Sequence, residues 1–275
     1  MRLLMQHMND IADMRDVAVH AAKRAGALLR DSFGGRREIS YKGEINLVTE
    51  MDRLSEKTIV SEISSAFPGH SIVAEEGANI ENGSGYLWVI DPLDGTTNYA
   101  HGYPQFAVSI GLEYAGNIVL GIVYDPLREE LFTAMRGNGA QLNGTTISVS
   151  RTSDLIRSLL ATGFPYDRAN CKENNLDYFN AMIMVSQEIR RNGSAALDLC
   201  NVAAGRLDGY WELKLRPWDV AAGSLIVREA GGTVSDLSGQ RFSIRDELII
   251  ASNGFIHQQI IDALRRTGDS EPSTK

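Results

Sequence analysis

Cysteine is scarce: Cys171 and Cys200 are the only two in 275 residues, far apart and without a Cys-x-x-Cys pair. That excludes a disulfide scaffold and offers no zinc spacing, and both thiols are expected to be buried as small apolar residues. Proline is sparse too, and no Pro-rich or low-complexity linker divides the chain. A single unit over residues 1–275 is expected, with subregions of about 1–150 and 151–275. No uninterrupted apolar run approaches the roughly 20 residues of a membrane helix, so a soluble protein with no membrane partner is expected. Met1 to Asp10 has neither an apolar core nor a small-residue cleavage pattern, which points to a cytoplasmic protein; Met5 and Met8 are alternative starts. Basic residues are outnumbered, 27 Lys and Arg against 35 Asp and Glu, for a net charge of -8. No direct nucleic-acid contact is therefore expected.

What remains is a chain that is 43% apolar, long enough to bury a sizeable core. Apolar residues at helical spacing predict a helix from Ile11 to Phe33, stopped by Gly34-Gly35. Ser40 to Thr49, with Lys42, Gly43 and Asn46, reads as a loop, and Thr49 caps a second helix from Glu50 to Phe67. Ser71 to Ala74 and Tyr86 to Ile90 read as strands, separated by a surface loop at Asn79 to Gly85. Phe106 to Tyr114 and Ile118 to Tyr124 form a hairpin, followed by strands at Leu131 to Met135 and Ile147 to Ser150. In the second half, strands at Leu159 to Thr162, Leu207 to Glu212 and Leu248 to Ala251 alternate with helices. Those helices are expected at Asn174 to Gln187, Ala196 to Ala204, Val220 to Ala230 and Phe255 to Leu264, with a basic turn at Arg190 to Ala195. The alternation gives α/β layers. Thr267 to Lys275 reads as a disordered tail.

The most informative stretch is Trp88-Val-Ile-Asp-Pro-Leu-Asp-Gly-Thr-Thr-Asn98. Asp91 and Asp94, three residues apart across what reads as a rigid Pro turn, can converge with the Leu93 carbonyl into a cup of hard oxygens that suits magnesium. Beyond them Gly95 lets backbone approach a ligand, and the Thr96 and Thr97 amides can open a helix that attracts an anion. Carboxylates repel a phosphate unless metal ions invert the local charge. The pairing of the two sites therefore points to metal-assisted phosphoryl transfer. The plain alternative is a solvated Pro turn capping a helix.

Asp91-Pro92-Leu93-Asp94-Gly95-Thr96-Thr97-Asn98, with Trp88-Val89-Ile90 before it and His101, Pro104, Phe106, Val108 and Ser109 after it, resembles the first signature of the inositol monophosphatase family. Trp218-Asp219, followed by Ala221, Ala222, Gly223 and Glu229-Ala230-Gly231-Gly232, resembles its second. The likeness covers about residues 11 to 266. It implies the layered αβαβα sandwich of the sugar phosphatases, a homodimer, lithium sensitivity, and two or three Mg2+ per site. The metal ligands it implies are Glu75, Asp91, the Leu93 carbonyl, Asp94 and Asp219. Asp52, which the residues alone assign to a capping box three positions after Thr49, would by resemblance partner Thr96 and help Glu75 activate the attacking water. Asp219 alone could equally cap the helix that follows it, and Glu75-Glu76 alone could be a solvated surface pair.

The likeness also places Gly193-Ser194-Ala195 beside the substrate ring, where close packing at a helix start is the plain reading, and gives Glu212 a substrate hydroxyl. The Gly95 and Thr96 amides would hold the phosphate oxygens, and Asp94 and Asp219 would also contact the substrate. Lys42, Glu76, Gly193 and Arg216 are further candidates. Arg216-Pro217 departs from the His and Cys common in the animal enzymes; Arg216 is either a fork for a second phosphate or a surface residue. Magnesium-dependent hydrolysis of inositol monophosphate is the expected reaction. A fructose-1,6-bisphosphatase or broader sugar-phosphate phosphatase is the alternative, ahead of a histidinol phosphatase, whose string tends to carry Lys at the place of Thr97. A regulatory protein that docks on transcription machinery, as some bacterial relatives do, is the alternative of another class.

Overall fold

The computed structural model describes residues 2–35, 39–41 and 47–267, with side chains from Asp10 to Gly35 and from Thr49 to Thr267. Lys42 and residues 268–275 of the expected tail lie outside the described residues. In chain order the first half holds α1 (Arg2–Ser32), β1 (Ile39–Tyr41), β2 (Leu47–Thr49), α2 (Glu50–Ala66), β3 (Ser71–Ala74), β4 (Asn79–Ile80), β5 (Tyr86–Asp94) and α3 (Thr96–Ala100). Then come β6 (Ala107–Tyr114), β7 (Asn117–Asp125), β8 (Glu130–Met135), β9 (Ala140–Leu142) and β10 (Thr145–Thr146). The second half holds β11 (Leu159–Thr162), α4 (Leu176–Ile183), β12 (Glu188–Arg190), α5 (Ala195–Ala203), β13 (Gly209–Leu213), α6 (Pro217–Glu229), β14 (Thr233–Ser235), β15 (Leu248–Ser252) and α7 (His257–Arg265).

An eight-stranded sheet runs β10-β9-β8-β7-β6-β5-β3-β4 and a five-stranded sheet runs β12-β11-β13-β15-β14; β1 and β2 pair separately. Side chains alternate across each strand, so one face of each sheet serves one core. In β5, Trp88 and Ile90 pack toward α1 and α2, and Val89 packs toward α5 and α6. In β13, Tyr210 joins that same central core, whereas Trp211 faces α4 and α7. The layers are therefore α1/α2, large sheet, α5/α6, small sheet, α4/α7, the αβαβα sandwich expected.

The central layer is thin because its residues are small. Gly111 and Gly121 face each other across β6 and β7. A methyl on Gly111 would stand 2.8 Å from Ala221 Cβ, and one on Gly121 would stand 2.7 Å from the Ala222 carbonyl oxygen. Gly223 likewise admits Leu199 of α5. The Ala-Ala-Gly run of the second motif is thus the ridge by which α6 sits directly on the large sheet.

Several expectations are corrected. Asp91 to Asp94 do not form a turn: they continue β5, with one extra residue bulged opposite β6 between Asp91 and Asp94, which aims acids out of a strand end. The first helix starts earlier, at Arg2. Asn79 belongs to β4, and Ile147 to Ser150 is not a strand; β9 and β10 precede it instead. The helix expected over Asn174 to Gln187 is only α4, because Asn175 is left-handed (φ 73°) and the chain turns after Ile183 into β12. That strand was hidden because Glu188 and Arg190 look like a turn, although Ile189 between them is buried and pairs with β11. Cys200 is buried as expected, but Cys171 is half-exposed and takes a hydrogen bond from Lys214 Nζ. Thr267 is not loose: its amide and hydroxyl both donate to the Leu264 carbonyl.

Gly121→Ala should destabilise the protein. The clash is with backbone, so overpacking of about 1–3 kcal/mol outweighs the stabilisation of about 0.4–1 kcal/mol from a stiffer unfolded chain; the urea midpoint of the variant against the parent measures it.

Candidate metal and phosphate site

Three helix starts and two strand ends meet at one edge of the sandwich. Asp52 is the third residue of α2 and is fully buried. Its Oδ2 accepts hydrogen bonds from the Thr49 amide (2.8 Å) and the Thr49 hydroxyl, closing the capping box. Its Oδ1 accepts from Thr96 Oγ1 at 2.9 Å. The capping and the catalytic readings of Asp52 are therefore both accommodated by one carboxylate, one oxygen each. Burial raises its pKa first, and the Glu76 charge adds to that.

The Thr96 hydroxyl also lies 3.0 Å from the Leu93 carbonyl. It has one proton and two acceptors, so a ligand taking the Leu93 carbonyl would commit that proton to Asp52 and leave the Thr96 lone pairs free to accept. Gly95, left-handed at φ 92°, opens α3. A Cβ there would meet the Gln105 carbonyl at 2.9 Å and the Gly193 carbonyl at 3.2 Å, so only glycine lets β5 turn into α3 in this space.

Asp91 and Asp94 are buried at the end of β5. Asp91 Oδ1 accepts from the Leu93 amide at 3.0 Å. Asp94 Oδ2 accepts from Ser194 Oγ and from the Ala196 amide at 2.8 Å, and the Ala195 amide also points to it. Asp94 thus holds the N-terminus of α5, and Ala195 reaches the site as part of that same turn. Asp219 is the third residue of α6; its Oδ2 accepts from the Arg216 amide at 2.7 Å. It reaches back to the cap residue as Asp52 does, rather than being the cap itself. Glu75 follows β3, and the Glu76 amide donates to buried Glu56 at 2.7 Å, which fixes that corner.

The acids feel one another. Burial first, then the charges of Glu75, Asp94 and Asp219, raise the Asp91 pKa well above the usual carboxylate range. Burial and the charges of Asp94, Glu75 and Glu212 do the same to Asp219, against the Arg216 amide. Asp94 is pushed up to about 6, chiefly by burial, although the Ser194 and backbone hydrogen bonds and the Arg191 charge oppose it. Burial lifts Glu212 to about 7 against the Tyr210 hydroxyl that donates to it.

The predicted metal ligands are brought into one electrostatic neighbourhood. Among the described residues, though, no three His, Cys, Asp or Glu side chains close into a ready coordination shell. Asp91, Asp94 and Asp219 each accept from a backbone amide. Hard oxygens in negative excess fit a divalent cation such as magnesium.

Glu212, near the end of β13, is half-exposed, and Gly163 makes room for it: a Cβ at residue 163 would fall 2.1 Å from its Oε1. Gly193 is left-handed (φ 84°), and a Cβ there would meet Arg191 and Asn98 within 3 Å. Asn98 Nδ2 lies within hydrogen-bond distance of the Gln105, Asn192 and Gly193 carbonyls. Arg216 is exposed, and its amide rather than its guanidinium serves the site. Residues missed from sequence are Gly163, Ser194 as the donor to Asp94, and Asp198, a buried acid that accepts from Asn192 at 2.6 Å. Their signals are a loop glycine and small polar residues, none distinctive without neighbours in space.

The carboxylate crowding sets a pH dependence for the metal-free protein. Folded pKa values raised above the unfolded ones, near 4, mean that the folded state binds more protons, so these acids cost stability as pH rises from about 4 through about 7. Asp91→Asn keeps the oxygen that accepts from Leu93 but not the charge. The difference in Tm, Asp91→Asn minus parent in chelator, should be positive and grow across that pH range; a flat or falling difference would contradict the crowding.

Comparison with known proteins agrees with this architecture. Residues 10–269 match the model of the inositol monophosphatase family. The chain is 45% identical over 261 residues to the inositol-1-monophosphatase of Synechocystis, covering 94% of this chain and 91% of that one. It is 44% identical over 260 residues to the Nus factor SuhB of Vibrio cholerae, covering 94% and 97%. The solved inositol monophosphatase of Anabaena superimposes with a TM-score of 0.86 at 44% identity, covering 94% and 97%. The chain belongs to the inositol monophosphatase family, a family of metal-using phosphatases.

Proposed function

We propose that this protein is a magnesium-dependent phosphomonoesterase that hydrolyses inositol monophosphate to inositol and phosphate. The observation that supports the reading is the mutual repulsion of Glu75, Asp91, Asp94 and Asp219, an arrangement that needs divalent cations for balance and sits beside the Gly95 turn. Those four acids and the Leu93 carbonyl would hold two or three magnesium ions. Bound there, the metal would lower the pKa of a water and offset charge on the leaving oxygen.

The chain's own groups do the rest. The Gly95 and Thr96 amides, at the start of α3, donate to phosphate oxygens. Asp52, anchored by Thr49, takes the Thr96 proton, so Thr96 accepts from the attacking water and, with Glu75, fixes its line of approach. Glu212 accepts from a ring hydroxyl and Ala195 lines the ring. With a pKa near 7, Glu212 is a better acceptor at mildly alkaline pH, when it is ionised. In line with the family, lithium inhibition and dimerisation are expected.

A second reading has one observation in its favour: a relative of similar identity carries the name Nus factor SuhB. In that reading the protein binds a transcription partner, and Asp91→Asn would abolish hydrolysis without abolishing the complex.

Phosphate release from inositol 1-phosphate, fructose 1,6-bisphosphate and histidinol phosphate should be highest for the first in kcat/KM and vanish in chelator. Better hydrolysis of fructose 1,6-bisphosphate, or chelator resistance, would overturn the proposal. Asp52→Ala should lower kcat by about 10–100-fold, the usual cost of losing a group that orients a metal site's reactants, and lower stability by about 1 kcal/mol through the lost cap. Steady-state kinetics and a urea melt separate the two effects.

A further inference from the structure

Gly163 is the first residue after β11, outside both sequence motifs, and the space beside it is filled from another strand. A Cβ at residue 163 would stand 2.1 Å from Glu212 Oε1 and 2.2 Å from Oε2, so the Glu212 carboxylate lies where a side chain would begin. Backbone conformation does not ask for glycine there, because the φ of Gly163 is not left-handed. The position excludes volume alone.

The contact is fixed from both sides. Fully buried Tyr210 donates its hydroxyl to Glu212 Oε2. Opposite, Asn175 clamps the end of β11. It is left-handed (φ 73°) and 3% exposed; its side chain donates to Thr162 Oγ1 (2.8 Å) and to the Gly163 carbonyl, and accepts from Trp211 Nε1 (2.8 Å). Thr162 Oγ1 in turn donates to the Trp211 carbonyl at 2.7 Å. The residue before Glu212 and the two residues that end β11 are thus tied by one buried amide. Gly163 cannot back away from the carboxylate without leaving buried polar groups unpaired.

Glu212 shares one face of β13 with Tyr210. That is the face on which α5 packs, and the first turn of α5 is the one that holds Asp94 through the Ala196 amide. A carboxylate set between two fixed neighbours beside that turn accepts from an alcohol hydroxyl in a narrow range of directions.

We propose that Gly163 is a specificity-determining residue: its missing side chain, kept in place by the Asn175 clamp, is what lets Glu212 point where it reads the alcohol of the ester. The proposal rests on the phosphomonoesterase reading, which assigns Glu212 to a ring hydroxyl. Gly163→Ala, Glu212→Ala and the double variant are assayed with magnesium on inositol 1-phosphate and on phenyl phosphate, whose alcohol offers no further hydroxyl. The readout is the preference, the ratio of kcat/KM for the first ester over the second. A methyl at residue 163 meets the end of a side chain rather than backbone, so Gly163→Ala should keep the parent's Tm while the carboxylate swings aside. The preference should fall roughly 10–100-fold, the cost of losing a hydrogen bond to a charged group. Glu212→Ala should lower it as far, and adding Gly163→Ala to Glu212→Ala should change it no further. An unchanged preference in Gly163→Ala, or a further loss in the double variant, overturns the role of Gly163. If Gly163→Ala lowers Tm, the double variant must restore it; a loss that persists also overturns the role. A parent that hydrolyses both esters alike overturns the proposal alone, and a parent that hydrolyses neither overturns the phosphomonoesterase reading with it.

Discussion

The site depends on what the first turn of a helix needs. Backbone amides at a helix start have no partner within the helix, and the field of the aligned peptides favours negative charge there. Three helices, α2, α5 and α6, answer that need with acids of the site. Asp52 and Asp219 reach back from the third position of their own helices, and Asp94 reaches in from β5 across a hundred residues to the start of α5. Each acid is thereby fixed in orientation by a group that must be satisfied regardless of function. A site whose side chains are held by the fold's own unmet hydrogen bonds needs little reorganisation when a ligand arrives.

The arrangement has a cost that the same amides only partly offset. Asp91 has a single amide partner, from Leu93, in contrast to the several donors around Asp94. The site gathers more negative charge than its surroundings balance. A divalent ion reverses the sign of the local argument. Stability and readiness for chemistry thus pull in opposite directions here, as they do wherever like charges are packed for a purpose.

The α/β layering was readable from the alternation of strands and helices, and the five-layer sandwich from the family resemblance. Trp88, Val89 and Ile90 alternate between two cores, and α6 shows its packing as Ala221-Ala222-Gly223 against Gly111 and Gly121. Asp91, Asp94 and the Gly95 turn stood out because a dense motif keeps them within a few residues, whereas Glu75 and Asp219 were singled out through the family resemblance. What failed to show was short or depended on distant partners. β12 is three residues with a single buried side chain, Ile189, between two charges, too little for a period. The bulge after Asp91 is decided by β6, which no local pattern reveals. Gly163 lies in a loop whose composition suits any surface turn, and its role comes only from Glu212, about 50 residues away.

The structural readings of Asp52 and Asp219 do not compete with the functional ones proposed for them. Each looked like a helix-capping acid, and each bonds back to the amide of the cap residue, Thr49 or Arg216, from the third position of its helix. A carboxylate has two oxygens with about four acceptor sites between them, and one bond to a cap amide uses only one. For Asp52 the division is visible: Oδ2 serves Thr49 and Oδ1 serves Thr96. A capping acid has a rotamer set by the backbone, so it can carry a second, precisely directed contact without the entropy that a free surface acid would lose on binding. An acid three residues into a helix is therefore more suspect as a functional residue when its helix start is buried beside other acids, because the cap supplies the rigidity that chemistry would otherwise have to obtain elsewhere.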